Sequence, residues 1–191
     1  MENLQKENIK GAAKKLFFQF GYSKTSMDDI ARESKLAKPT LYYYYPNKGA
    51  LFNQIVIDEA EKLMNQVQNQ VPADLPADKK MAAFFQAVYD HLNQFEKEIT
   101  HLPKRMYKDS PHGQPIIEKI TELMKKQISP ILQAGIQENI FDIEKREDTL
   151  LAILAMTRFL NMEWIHQTPK KTRDKILHHV IQLILYGLIK R

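Results

Sequence analysis

Apolar residues recur at three- and four-residue spacing along almost the whole chain. Ile9, Ala13, Leu16, Phe17 and Phe20 form one such stripe, which predicts an amphipathic helix over 3–20. Gly21 follows the last periodic residue, as a left-handed C-terminal cap does. Thr25-Ser26-Met27-Asp28-Asp29 reads as a helix start. Ser26 and Asp29 stand three apart as in a capping box, and both acids lie where the helix dipole favours them. The spacing predicts a short helix over 27–34, a turn at 35–37 and a second short helix from Lys38 to about Tyr44. Pro39 takes the first helical position there, where its missing N–H costs nothing. Tyr45-Pro46-Asn47 ends that helix, and Asn47 caps a long one reaching about Gln70.

Val71 to Asp78 carries two prolines and no periodicity, so a loop is expected. Helices follow over 78–98, with Met81, Phe84, Phe85, Val88, Leu92 and Phe95 on one stripe, and over a short piece at 101–107. Ser110-Pro111-His112-Gly113 is a second break. A longer helix is expected over 114–138, bent or interrupted at Pro130, with Asn139 in a left-handed cap. Two final helices, 145–167 and 172–189, are separated by Thr168-Pro169. The fold class is all-α, with no internal repeat.

Composition narrows the classes of function. The 191 residues are 43% hydrophobic and 27% charged, the balance of a soluble globular protein. The chain has no cysteine, which excludes disulfides, thiolate zinc sites, iron–sulfur clusters and a cysteine nucleophile. Six glycines leave little for phosphate-binding loops. No nucleophile elbow, Walker loop or dinucleotide fingerprint is present, so the chain reads as no enzyme, with no cofactor. His178 and His179 diverge by about 100° on one helix and do not share a face, so no metal site is expected. The charged start fits no signal peptide, and the longest apolar stretch, near 180–189, is far short of a membrane span. A cytoplasmic protein that avoids membranes is expected. Positive charge is uneven: residues 1–57 hold nine Lys/Arg against five Asp/Glu, while the rest is nearly balanced. A basic small domain points to an anionic partner such as nucleic acid.

Two short helices joined by a tight turn, with a helix before and a long one after, describe a helix-turn-helix. The second is Lys38-Pro39-Thr40-Leu41-Tyr42-Tyr43-Tyr44-Tyr45. Four consecutive tyrosines at about 100° per residue cover most of the helix circumference. Leu41 and Tyr45, four apart, share the buried face, which leaves Tyr42, Tyr43 and Tyr44 partly exposed beside Lys38, Thr40 and Lys48. Such side chains suit phosphate hydrogen bonds and contact with a thymine methyl.

Residues 9–55, from Ile9-Lys10-Gly11-Ala12-Ala13 through Thr25-Ser26-Met27-Asp28-Asp29-Ile30-Ala31 to Thr40-Leu41-Tyr42-Tyr43-Tyr44-Tyr45-Pro46-Asn47-Lys48, closely resemble the N-terminal domain of TetR-family transcriptional regulators. The resemblance implies a DNA-binding domain over 1–46 and a ligand-binding and dimerisation domain over 47–191. It implies a homodimer that represses transcription from a double-stranded, palindromic operator and leaves it when a small-molecule effector binds. Thr25 and Ser26 match phosphate contacts, and Lys38, Pro39 and Thr40 match base-reading positions. Tyr42 and Tyr44 match phosphate contacts, Tyr43 lies between base and backbone, and Lys48 matches a phosphate-pairing lysine. The sequence departs from the family at Lys35, where glycine is usual. A left-handed Lys35 is slightly strained but gains a possible phosphate partner. Tyr44 and Tyr45 replace the usual histidine and phenylalanine, and Gly49 a common glutamate.

Both last helices are apolar on more than one face, as Leu150, Leu151, Ile153, Leu154, Met156 and Phe159 illustrate in one and Ile176, Leu177, Val180, Leu183, Ile184 and Leu188 in the other. The resemblance assigns this excess, over about 145–189, to a four-helix dimer interface. A two-fold dimer sets its recognition helices about 34–36 Å apart, in successive major grooves. Candidate effector-lining residues are Phe84, Tyr89, Met106, Tyr107, Met124, Phe159 and Met162, the aromatic and methionine positions of the second region.

Overall fold

The computed structural model describes residues 2–98, 113–160 and 162–190. The described elements are α1 (Glu2–Phe20), α2 (Met27–Ser34), α3 (Lys38–Tyr44), α4 (Lys48–Gln70), α5 (Ala77–Glu98), α6 (Gly113–Gln137), α7 (Arg146–Met156), a 3-10 turn over Thr157–Phe159, α8 (Met162–Gln167) and α9 (Lys170–Leu188). The expected short helix at 101–107 lies outside the described residues. No described helix is long and apolar enough to cross a membrane.

The chain forms two compact units. The first comprises Met1–Ala60 and Lys97–Lys119, and the second Glu61–Glu96 and Ile120–Arg191. The first unit reaches past the 46/47 boundary suggested by the sequence because its core needs more than three helices. Ile9, Ala13, Leu16 and Phe17 of α1 meet Ile30 and Ala31 of α2, Leu41 of α3, Leu51, Phe52 and Ile55 of α4, and Ile116 of α6. Phe17 and Tyr22 both set their rings edge-on to Phe52, with centroids 5.5 and 5.1 Å apart. Phe20, expected inside, is 48% exposed, and Ala12 takes a buried place instead.

The short helices are held by their ends, since eight residues are too few to be stable alone. The capping box is present: the Ser26 hydroxyl accepts from the Asp29 amide at 3.1 Å, and the Asp29 carboxylate accepts from the Ser26 amide at 2.9 Å. Lys35 closes α2 with φ 57°. The Lys35 amide donates to the Arg32 carbonyl and the Leu36 amide to Ala31, the paired bonds of a Schellman cap. Gly21 ends α1 with φ 88°, and the Asn47 side chain caps α4 by accepting from the Ala50 amide at 2.8 Å.

In the second unit Phe84, Phe85, Val88 and Tyr89 of α5 pack with Ile128 and Leu132 of α6, Leu150 and Ile153 of α7, and Leu177, Ile184 and Leu188 of α9. α6 is not interrupted: it runs through Pro130, which is exposed. Its end is a second Schellman cap, with Asn139 at φ 56° and amides 139 and 140 donating to carbonyls 136 and 135. Phe141 then lies against Gly135 and bridges antiparallel to Ile189, so the end of α9 is pinned to the end of α6.

The helix expected over 145–167 is broken. Thr157 is buried and its hydroxyl donates back to the Ile153 carbonyl at 2.9 Å. Such back-bonding bends a helix, and the backbone tightens into the 3-10 turn before α8 begins.

Candidate nucleic-acid interface

α3 is fastened by one side. Leu41 is fully buried and Tyr45, just past its end, is 8% exposed, whereas Tyr42 is 42% and Tyr43 78% exposed. Lys38 and Pro39 are exposed and Thr40 is half-buried at the helix start. The result is a short helix that presents a cation, a hydroxyl and two phenols on its outer face. That content suits a duplex, whose phosphates take the donors and whose major groove takes the side chains.

Several predicted contacts are already engaged. The Lys38 ammonium pairs with the Asp28 carboxylate at 2.7 Å, across the cleft lined by Asp28, Ala31, Arg32, Lys35, Leu36 and Lys38, and this partner raises its pKa. Arg32 pairs with Asp29. The Thr25 side chain is buried, donating to the Gly21 carbonyl at 3.0 Å, so it braces the loop before α2. The Ser26 hydroxyl belongs to the capping box. Tyr44 is half-buried, and its hydroxyl donates to the Gln5 side chain of α1. Lys48 donates to the carbonyls of Tyr22 and Thr25, both at 2.8 Å, and lies over the Tyr22 ring; burial lowers its pKa. Lys35 is exposed in its left-handed position.

The fold brings together residues that spacing alone did not pair. Lys6 of α1 lies 5.9 Å from the Tyr44 ring centroid, which adds a cation near the end of α3. Asp28 is the counter-charge of Lys38. The only sequence signal for Lys6 is its four-residue spacing from Glu2, an ion pair of α1 at 3.1 Å.

Of the effector candidates, Phe84, Tyr89 and Met124 are buried in the second unit. Met106, Tyr107 and the side chains of Phe159 and Met162 lie outside the described residues. Among the described residues no group of three His, Asp or Glu side chains is placed to hold a metal.

A helix-turn-helix on a helical scaffold, with an exposed basic and phenolic second helix, defines a DNA-binding protein. Comparison with known proteins gives the family of the N-terminal segment. Residues 9–55 match the family described as bacterial regulatory proteins, tetR family. An HTH-type transcriptional regulator of Bacillus subtilis, YhgD, is 23% identical over 184 residues, 96% of each chain. The HTH-type negative transcriptional regulator of the icaADBC biofilm operon in Staphylococcus aureus, IcaR, is 25% identical over 128 residues, 65% of this chain and 67% of its own. The crystal structure of Thermus thermophilus FadR, a TetR-family repressor in complex with lauroyl-CoA, superposes with a TM-score of 0.74 at 18% identity, covering 97% of this chain and 96% of that one. Residues 9–55 thus carry the DNA-binding domain of the tetR family of bacterial regulatory proteins, and the similar proteins are transcriptional regulators rather than enzymes.

Proposed function

We propose that this protein is a cytoplasmic repressor that binds a palindromic operator as a homodimer and leaves it when a small molecule binds the C-terminal domain. The observation that carries DNA recognition is the outer face of α3: one fully buried side chain, Leu41, fixes the helix, and Lys38, Pro39, Thr40, Tyr42 and Tyr43 are left outward. Lys38, Pro39 and Thr40 read bases; Tyr42 and Lys35 meet backbone, and Tyr43 lies between base and backbone. Thr25, Ser26, Tyr44 and Lys48 support this surface through the loops and caps they hold, and reach phosphate only by giving up present partners. The helix-turn-helix over 1–46 is the reading domain, and 47–191 the effector and dimerisation domain.

Dimerisation is supported by an apolar face left open on α7 and α9. Leu151 is 59%, Leu183 63% and Tyr186 69% exposed, although both helices also bury an apolar side in their own core. Repression and effector release are supported by the relatives: IcaR is a negative regulator, and Thermus FadR is a repressor that binds an acyl-CoA. Phe84, Tyr89, Met106, Tyr107, Met124, Phe159 and Met162 remain the candidate effector-lining residues.

The test is a titration of the purified protein into labelled DNA from upstream of its own gene, with excess unlabelled random duplex. Binding that survives the competitor supports a sequence-specific regulator, and the trimmed operator then serves to screen for effectors. Replacing Lys38 or Thr40 is expected to change sequence preference. An unaltered preference moves base reading to other residues.

A further inference from the structure

The second unit contains a polar cluster that its apolar core does not explain. Tyr89, Asn93 and Glu96 lie on one face of α5, at spacings of four and three. Arg173 and Asp174 of α9 meet that face. The Tyr89 hydroxyl donates to Asp174 at 2.6 Å, and Arg173 Nη1 donates to Glu96 at 2.9 Å and also to the Ile165 carbonyl. The Asn93 side-chain amide donates to the Tyr89 carbonyl at 2.9 Å. Burial and the Asp174 bond raise the Tyr89 pKa, while the Asn93 amide acts against them, so both side chains bear on one phenol.

Two atoms of this cluster remain unused. Arg173 is 6% exposed and Asn93 9%, yet Arg173 Nε and Asn93 Oδ1 have no hydrogen-bond partner among the described residues. An orphan buried donor or acceptor is costly, more so when charged, so a pair of them calls for an occupant. The His91 Nε2 is also unpaired, but it lies two residues from Asn93, on a different side of α5.

The chemistry of the pair selects the occupant. Arg173 Nε offers a proton, and Asn93 Oδ1 accepts one. The charges are already balanced, Arg173 by Glu96 and Lys170 by Asp174. An added anion would face Glu96 and Asp174, and an added cation would face Arg173 and Lys170. A neutral hydroxyl has the chemistry to serve either orphan, its oxygen accepting from Arg173 or its proton going to Asn93. The adjoining surface is apolar and aromatic: the Trp164 ring centroid lies 6.3 Å from that of Tyr89, and Ile165 is fully buried.

We propose that Asn93 and Arg173, beside Tyr89, form the polar end of the effector site, and that the site takes an uncharged, hydroxyl-bearing molecule with an apolar body. The inference rests on the reading of the second unit as the effector domain.

Three probes of matched shape test it on the full-length protein: 4-ethylphenol, ethylbenzene and 4-ethylbenzoate, followed by calorimetric titration and by the melting temperature. The phenol is expected to bind at least tenfold more tightly than the other two. Asn93→Leu, which keeps the volume and removes the acceptor, is expected to erase that preference while the unliganded protein still melts cooperatively. The wild-type series stands even where the variant does not fold. Equal binding of all three probes retains a pocket in the second unit and overturns its polar end, leaving water as the occupant of the two orphans. Preference for the benzoate overturns the neutral class. Binding of none overturns the site, and the effector reading is then judged separately by release of the operator complex.

Discussion

The Lys48 ammonium lies 4.3 Å from the centroid of the Tyr22 ring while donating to the Tyr22 carbonyl. The first residue of α4 thus grips the loop between α1 and α2, from a position that the family resemblance leads one to expect at phosphate. Lys48→Ala is expected to cost about 1–2 kcal/mol, from a half-buried cation–π contact and two charge-assisted hydrogen bonds. Urea unfolding measures the loss. The salt slope of DNA binding is expected to change by less than one unit. Unchanged stability with a full unit lost from the slope would make Lys48 a phosphate ligand instead of an anchor.

Lys35 holds a left-handed backbone in the turn of the DNA-binding motif. Lys35→Gly is expected to raise stability by up to about 1 kcal/mol, because glycine adopts that region without a Cβ penalty. A thermal melt reads the sign. A decrease would mean that the lysine side chain contributes more than its backbone strain costs.

Two glycines give opposite expectations. A Cβ added to Gly135 falls 2.0 Å from the Phe141 ring, which the antiparallel bridge to Ile189 keeps in place. Gly135→Ala is expected to destabilise by about 1–3 kcal/mol through overpacking. At Gly11, inside α1, an added Cβ meets nothing within 4 Å, and Gly11→Ala is expected to stabilise by roughly 0.5–1 kcal/mol. Equal effects at both positions would remove Phe141 as the cause.

Leu183 is 63% exposed on α9. Leu183→Glu is expected to convert a dimer into monomer in light scattering, with the helical signal of the single chain retained. A dimer mass that survives places the partner surface elsewhere.

The capping box gives a pH dependence. The Ser26 hydroxyl and amide, followed by Arg32, hold the Asp29 carboxyl below its ordinary value of 3.8. A lowered carboxyl pKa stabilises the fold above the unfolded value and loses that contribution as the pH falls through the folded one. Ser26→Ala is expected to melt below wild type at neutral pH, with the gap narrowing below pH 3.8. A gap that is constant with pH would locate the cost in the hydroxyl alone.

What was readable in advance follows the range of the interactions. The caps at Ser26, Gly21, Asn47 and Asn139 are settled within six residues, so their spacing in the chain announces them. The buried face of α3 follows from the four-residue step between Leu41 and Tyr45. The break at Thr157 is hidden because apolar spacing runs on through Met156 and Phe159, while the Thr157 hydroxyl turns back onto its own helix there. The partners of Lys38, Tyr44 and Lys48 were not readable. Lys48 and Tyr22 stand 26 residues apart, and Tyr44 and Gln5 39 apart, so their contacts exist only after the helices have packed. The Arg173–Glu96 pair spans 77 residues and is invisible to any periodicity.

The way α3 is attached has a consequence for how such a regulator changes over evolutionary time. Its position depends on Leu41, Tyr45 and main-chain caps outside the helix, and hardly on the side chains that face outward. Substitutions at Thr40, Tyr42 and Tyr43 are therefore expected to have little effect on folding, since surface changes are usually within about 0.5 kcal/mol. On the proposed reading of this face, duplicated copies of the gene can drift to new operators through the base-reading positions, each step remaining a folded protein.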